Sequence, residues 1–396
     1  MKKLIKNIIG SVALVGLVGC GSESSDTVSG CFDASQETDT SVQWSKLMTE
    51  NATKLSEYKL FEDLTDPTKN PQSRGLPYDL TVPLFTDYAT KYRFVFVPPG
   101  CTAEYKADEV FDFPVGSVIT KSFAMPSDTA NRGIENEDLI ETRLLIKRTT
   151  GWVALPYVWN SSKSDAILDY NGASFPTTLV HNAETFEFNY NVPDPQSCKN
   201  CHQIKNEGED SAHTLPIGPK ARFLNKDYAY DSGSENQLTK WVSEGLLSGV
   251  PTEASSVDQT PLISDETNIG DMTPAELQIA AKAWLDINCA HCHRRDPSGE
   301  ASNTNMHVEW TRSYDTDSGA HGACALPISF GGDGGNDSAY IIEPGASDLS
   351  LMVFRMNTTD GGDRMPPLGR ELIHAEGVEL VKAWIDSLPQ DARCRR

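Results

Sequence analysis

The chain carries two copies of one five-residue pattern, C-x-x-C-H: Cys198-Lys199-Asn200-Cys201-His202 and Cys289-Ala290-His291-Cys292-His293. Nothing else in the sequence restricts the fold as much, because the spacing has a chemical reason. Two thiols two residues apart reach the two vinyl groups on one edge of a porphyrin. The histidine that follows swings beneath the ring and offers an imidazole nitrogen to iron. The expectation is two covalently bound haem c groups, attached through Cys198, Cys201, Cys289 and Cys292, with His202 and His293 as axial ligands. Two other readings use the same residues. A Cys₄ zinc site would have to span the 87 residues between Cys201 and Cys289 and would leave both histidines as coincidence. A thioredoxin-like redox pair needs a βαβ setting that the surrounding pattern lacks.

The N-terminus reads as an address. Lys2, Lys3 and Lys6 form a basic start, Leu4 to Val18 an interrupted apolar run, and Leu17-Val18-Gly19-Cys20 resembles a bacterial lipoprotein signal. An ordinary secretory peptide shares the first two parts; the Cys directly after a small residue favours lipidation at Cys20. Cleavage before Cys20 would remove those three lysines and move the formal charge from −22 to −25. Gly21 follows the Cys, and by resemblance to proteobacterial lipoproteins this implies an outer-membrane anchor facing the periplasm or cell surface. The polar, Ser-rich stretch 20–40 reads as a flexible tether.

Of the nine Cys, one belongs to the signal and four to the motifs. Cys31, Cys101, Cys324 and Cys394 remain. In an oxidising compartment they are disulfide candidates with three possible connectivities. Cys31–Cys101 and Cys324–Cys394 are favoured, each pair falling within one candidate domain.

The approach to the second motif is marked as a helix. Thr273 can cap it, Pro274 takes the first position and Glu276 completes a capping box. Leu277, Ala281, Trp284 and Asn288 line one stripe. Downstream, Arg364-Met365-Pro366-Pro367-Leu368-Gly369 forms a loop stiffened by two prolines. A final helical stripe follows through Val378, Val381, Ile385 and Leu388. This succession resembles a class I cytochrome c, and the resemblance makes Met365 the sixth ligand of the His293 haem, with Trp284 and Trp384 buried beside it. The first motif is less complete. His213, Met272, Met125 or a residue of the N-terminal domain are the candidates for its sixth ligand, and that position could also be open. The Gly331–Gly335 run has no strand–helix context and reads as a surface loop. His181, His307, His321 and His374 have no metal-ligand spacing and read as surface residues.

From about Leu76 to Tyr190 the texture changes to short β-rich runs broken by Gly and Pro. Glu141 and Arg143 read there as a strand-surface ion pair. The expected fold class is α+β and multidomain, a β-rich N-terminal domain followed by mainly α, cytochrome c-like haem domains. The boundaries are a signal at 1–19, the tether at 20–40, the β-rich domain at 41–190, a first haem region at 191–265 and the second haem domain at 266–396.

The chain resembles a family of bacterial dihaem c-type cytochrome lipoproteins. The stretches that carry the resemblance are Leu76–Leu80, Pro83–Ala89, Glu141–Leu145, Pro216–Asn225 and Leu285–His293. It implies haem attachment and little more. With 34 basic against 56 acidic side chains, nucleic acid is excluded as a partner, and a basic redox protein is the partner the charge would steer. Two functions follow: electron transfer between periplasmic or outer-membrane partners, or a peroxidase-like enzyme using an open first haem supplied with electrons by the second.

Overall fold

The computed structural model describes residues 30–205, 211–253, 256–295, 304–328 and 340–394. Cys20, the signal and the Gly331–Gly335 run lie outside them. After a short helix α1 (Trp44–Thr49), the strands are β1 (Gly75–Pro77), β2 (Thr90–Phe96), β3 (Ala103–Glu104), β4 (Val118–Pro126), β5 (Glu137–Arg148), β6 (Gly151–Trp159) and β7 (Ala166–Leu168). Six of them form one antiparallel sheet in the order β1-β2-β4-β5-β6-β7. The runs with β-branched and aromatic residues are those that pair, and Gly151 at φ +113° closes the two-residue turn into β6.

Alternation gives the sheet two unlike faces. Phe94, Phe96, Leu144, Ile146, Leu155 and Tyr157 point to one side and are fully buried. There they meet the N-terminal segment: the Tyr157 hydroxyl donates to Ala52 O at 2.8 Å, and Arg148 Nε to Leu47 O at 3.0 Å. Arg93, Lys121 and Arg143 stand opposite one another on the other side. A hairpin of β8 (Ala173–His181) and β9 (Glu184–Val192) packs Leu179, Tyr190 and Val192 against Phe123, Met125 and Ile140. Its turn residues Asn182 and Ala183 both have positive φ, as a tight hairpin needs.

The expectation of mainly α haem domains is overturned. The molecule is β-rich, built on its six-stranded sheet, and only 23 % helical. The first haem region holds the five-residue α2 (Cys198–His202), the ribbon β10 (Gln203–Ile204) with β11 (His213–Thr214), α3 (Ala221–Leu224), the ribbon β12 (Asp227–Tyr230) with β13 (Gly233–Asn236), α4 (Gln237–Ser243) and β14 (Leu247–Ser248). β14 pairs in parallel with β3. Beyond it come α5 (Pro274–Asn288), α6 (Tyr314–Asp317), α7 (Leu351–Met356) and α8 (Ala375–Ser387). The physical reason is that these helices do not gather around a core of their own. One continuous apolar core runs from Phe32 to Leu388 and includes both the sheet and the helices.

Both disulfides are present in the favoured pairing, Cys31–Cys101 and Cys324–Cys394. Cys31 lies inside the stretch expected to be a tether. Phe32 is buried and Asp33 caps a short turn, so from Cys31 onward the chain is docked on the fold.

Candidate functional site

Each motif histidine is held so that one ring nitrogen is left to bind. α2 leads directly into β10, and the return strand β11 brings Leu215 beneath His202. Leu215 N donates to His202 O, and His202 Nδ1 bonds Leu215 O at 2.8 Å. A carbonyl only accepts, so Nδ1 carries the hydrogen and Nε2 keeps its lone pair. At the second motif, Cys292 N and His293 N both donate to Cys289 O, folding the pattern into a turn at the end of α5. His293 Nδ1 lies 3.1 Å from Thr304 Oγ1, which itself donates to Met306 O. The ring therefore donates here too. Burial pushes both His202 and His293 down to about 4, so both rings are neutral at pH 7, the form that ligates a metal.

The two motifs, far apart in sequence, touch. Cys292 Sγ donates to Asn200 O at 3.2 Å. The Cys292 thiol also lies against Cys201, and His291 reaches the same sulfur; together they hold Cys201 well below an ordinary thiol, and Cys292 is raised in turn. Burial pushes Cys289 up to about 12. His291 Nδ1 is buried without a partner. None of these four cysteines is in a disulfide. They do not converge on a single point: among the described residues, the one group close enough to hold a metal ion is Asp265, His374 and Glu376. That is not the arrangement of a Cys₄ zinc site.

The first motif and His291 of the second open on a cavity of about 160 Å³, open to solvent, between the cationic sheet face and the C-terminal helices. Cys198, Cys201, His202 and His291 line it. So do Trp284 and Ile287 from α5, Met356 from α7, and Met365 with Pro366 from the proline loop. Its charged lining is Arg93, Lys121, Arg143 and Arg370, with no carboxylate. A mostly apolar, open-mouthed space with cationic walls in a chain of net charge −22 suits an apolar group that carries anions. A porphyrin with carboxylate substituents is such a group. Bound there, it would be tethered by the motif cysteines and ligated by the motif histidines, and it would supply one-electron redox chemistry.

The residues named from sequence divide. Met365 lies in the cavity with Cys198, Cys201 and His202; Cys289, Cys292 and His293 are not among the lining. His213 sits on β11, paired with Ile204, away from that lining. Met272 packs in a smaller pocket beside Pro83, Ile263 and Leu380. Trp284 faces the cavity, whereas Trp384 packs edge-on to Tyr314 at 5.3 Å. The Glu141–Arg143 pair is not on the surface. Glu141 is fully buried, accepts two hydrogen bonds from Arg143 at 2.8 and 2.6 Å, and takes the Tyr190 hydroxyl at 2.8 Å.

Several residues hold roles that the sequence reading did not assign to them. Buried Arg370 donates to the carbonyls of Met365, Arg355, Thr358 and Leu372 and so clamps the Met365 loop. Asp87 Oδ1 accepts from Glu371 N and Leu372 N, both at 2.7 Å; burial pushes its carboxyl up to about 6. His181, His321 and His374 are buried rather than exposed. His374 stacks on Phe85 at 4.4 Å, and its Nδ1 accepts from Trp284 Nε1 at 3.3 Å. An indole N–H can only donate, so in the neutral ring Nε2 carries the hydrogen toward Asp265 at 3.4 Å. That tautomer leaves His374 no lone pair for an ion between Asp265 and Glu376, and the cluster reads as a hydrogen-bonded structural joint.

Comparison with protein-family models, with curated proteins and with solved structures finds no match for the chain.

Proposed function

We propose that the chain is an exported dihaem c-type cytochrome that passes electrons between protein partners. The observation that carries the reading is the closeness of the two C-x-x-C-H motifs, Cys292 Sγ lying 3.2 Å from Asn200 O. It anchors two redox groups at neighbouring points, which is what a relay requires. The Nδ1 hydrogen bonds of His202 and His293 support the same reading, since each leaves Nε2 directed by a fixed partner. So does the cationic cavity. Met365, held in a clamped loop on the cavity wall, is the proposed methionine ligand, and a soft thioether raises the potential of the iron it binds. Lipidation at Cys20 would place the relay at the outer membrane, where its acidic surface would steer a basic partner.

A second reading, catalysis at an open first haem, draws on one observation: neither His213 nor Met272 lines the cavity that holds His202. One set of measurements tests both. Mass spectrometry of the mature protein should show two haem additions, and Cys289→Ala with Cys292→Ala should remove one. Low-temperature EPR of the oxidised protein should then show two low-spin haems for the relay. One high-spin signal would move the assignment to the enzyme; a protein with no haem, or with stoichiometric zinc, would end both.

A further inference from the structure

The cavity face of the sheet carries a row of three cations in register. Arg93 on β2 stands opposite Lys121 on β4, and Lys121 stands opposite Arg143 on β5. Like charges set directly across a sheet repel, so such a row needs counter-charge to be stable. Two of the three have it. Arg93 pairs with Asp79 at 3.0 Å, and Arg143 with Glu141. Lys121, the middle one, has no ion pair or hydrogen bond to any described residue. Its Nζ lies 5.1 Å above the Phe123 ring, and burial followed by the flanking Arg143 and Arg93 pushes it down to about 7. All three residues line the cavity, Arg370 lines it as well, and no Asp or Glu does. In a chain with 56 acidic against 34 basic side chains, this gathering of cations around an empty-handed lysine marks the seat of an anion.

We infer that the Arg93–Lys121–Arg143 row seats the propionate carboxylates of the haem attached at Cys198 and Cys201. The inference rests on the dihaem reading and deepens it. Adjacent strands are about 4.8 Å apart, so three heads in register present positive charge across roughly 10 Å, wide enough for two carboxylates on one porphyrin edge. The row belongs to the first motif's haem because it lines the same cavity as Cys198, Cys201 and His202, whereas Cys289, Cys292 and His293 are not among that lining. Arg143 gives Nε and Nη2 to Glu141 and Arg93 gives Nη1 to Asp79, so each keeps only part of its guanidinium for a ligand, and Lys121 supplies the one charge of the row without an ion pair to a described residue.

A cation beside a haem favours the ferrous state, which is less positive than the ferric, and so raises the midpoint potential. The test is a potentiometric titration of the haem absorbance in wild type, Lys121→Met and Lys121→Arg, each first shown by mass to carry two haems. One midpoint should fall in Lys121→Met, the other should stay, and Lys121→Arg should restore the first. In Cys198→Ala with Cys201→Ala, adding Lys121→Met should leave the remaining midpoint unchanged. Unchanged midpoints in Lys121→Met would overturn the inference while leaving the haem reading standing. So would a wild-type midpoint that moves on adding phosphate at constant ionic strength and stops moving in Lys121→Met, because the row would then hold a soluble anion. Absence of haem by mass would overturn both together.

Discussion

Met365 and Arg370 show what one residue reveals in sequence and what it hides. Met-Pro-Pro is legible because two prolines forbid a helix and stiffen the chain around a sulfur. Arg370 looks like any surface arginine, yet it is buried and spends its N–H groups on backbone carbonyls, including that of Met365. No pattern announces this, because the carbonyls it clamps come together only after folding. The consequence is a thioether with little freedom to wander. Met365→Ala should therefore lower one of the two haem midpoints and abolish the weak near-infrared band of sulfur-to-iron charge transfer, while Met365→His should keep that haem low-spin at a lower potential. Met365 shares its cavity with His202, and His293 is not among that lining, so the haem that responds is read from the motif variants. If the band survives in Cys289→Ala with Cys292→Ala, the methionine serves the first haem; if it disappears with them, it serves the second.

At the scale of elements, length decides legibility. α5 was readable from its capping box, its Pro at the first position and its apolar stripe, and all three are present. α8 was readable from its spacing. β2, β5 and β6 were readable as short β-rich runs, whereas β4 was touched by such a run only at Val118 and Ile119. β3, β14 and the β10–β11 ribbon were not, because two-residue strands exist only through partners distant in sequence or across a turn. Gly377 is another long-range feature. It lies on α8 where the helix crosses α5, and a Cβ there would stand 2.5 Å from Trp284 Cζ2 and 2.6 Å from His374 Nδ1. Glycine's lack of a side chain is what lets the two helices approach and keeps Trp284 against the cavity. Gly377→Ala should cost about 1–3 kcal/mol by overpacking, read from chemical denaturation, and should also disturb the haem absorbance because Trp284 must move. A protein as stable as wild type would show that the crossing has room to relax.

At the scale of the molecule, the expectation of separate helical haem domains failed because sequence patterns are local and burial is not. The segments that follow the sheet close over its cationic face and share its core. Arg222 of α3 and Asp286 of α5 form a buried ion pair at 2.9 and 2.6 Å, and Thr81 N donates to Phe223 O. The stretch Pro83–Ala89, legible only as a family resemblance, proves to be the strap between the sheet and the C-terminal helices. Phe85 N donates to Asn288 Oδ1 at 2.9 Å, the Tyr88 hydroxyl reaches Glu376 at 3.0 Å, and Asp87 holds Glu371 N and Leu372 N. Asp87 makes this strap sensitive to pH. Its folded-state pKa of about 6 lies above the ordinary carboxyl value of 3.8, chiefly through burial, so folding favours the protonated acid. Its stabilising contribution is complete below the unfolded pKa and is lost as pH rises through about 6. A shift of that size is worth about 3 kcal/mol at most. Other carboxylates, Asp286 among them, are lowered and push stability the opposite way, so the test must be a difference. Asp87→Asn keeps an oxygen to accept from both backbone N–H groups and cannot ionise. Relative to wild type it should gain stability progressively between pH 4 and pH 7, measured as the gap between the two denaturation midpoints. A gap that stays constant across that range would mean that Asp87 is ionised in the folded protein throughout, and that its two hydrogen bonds outweigh its burial.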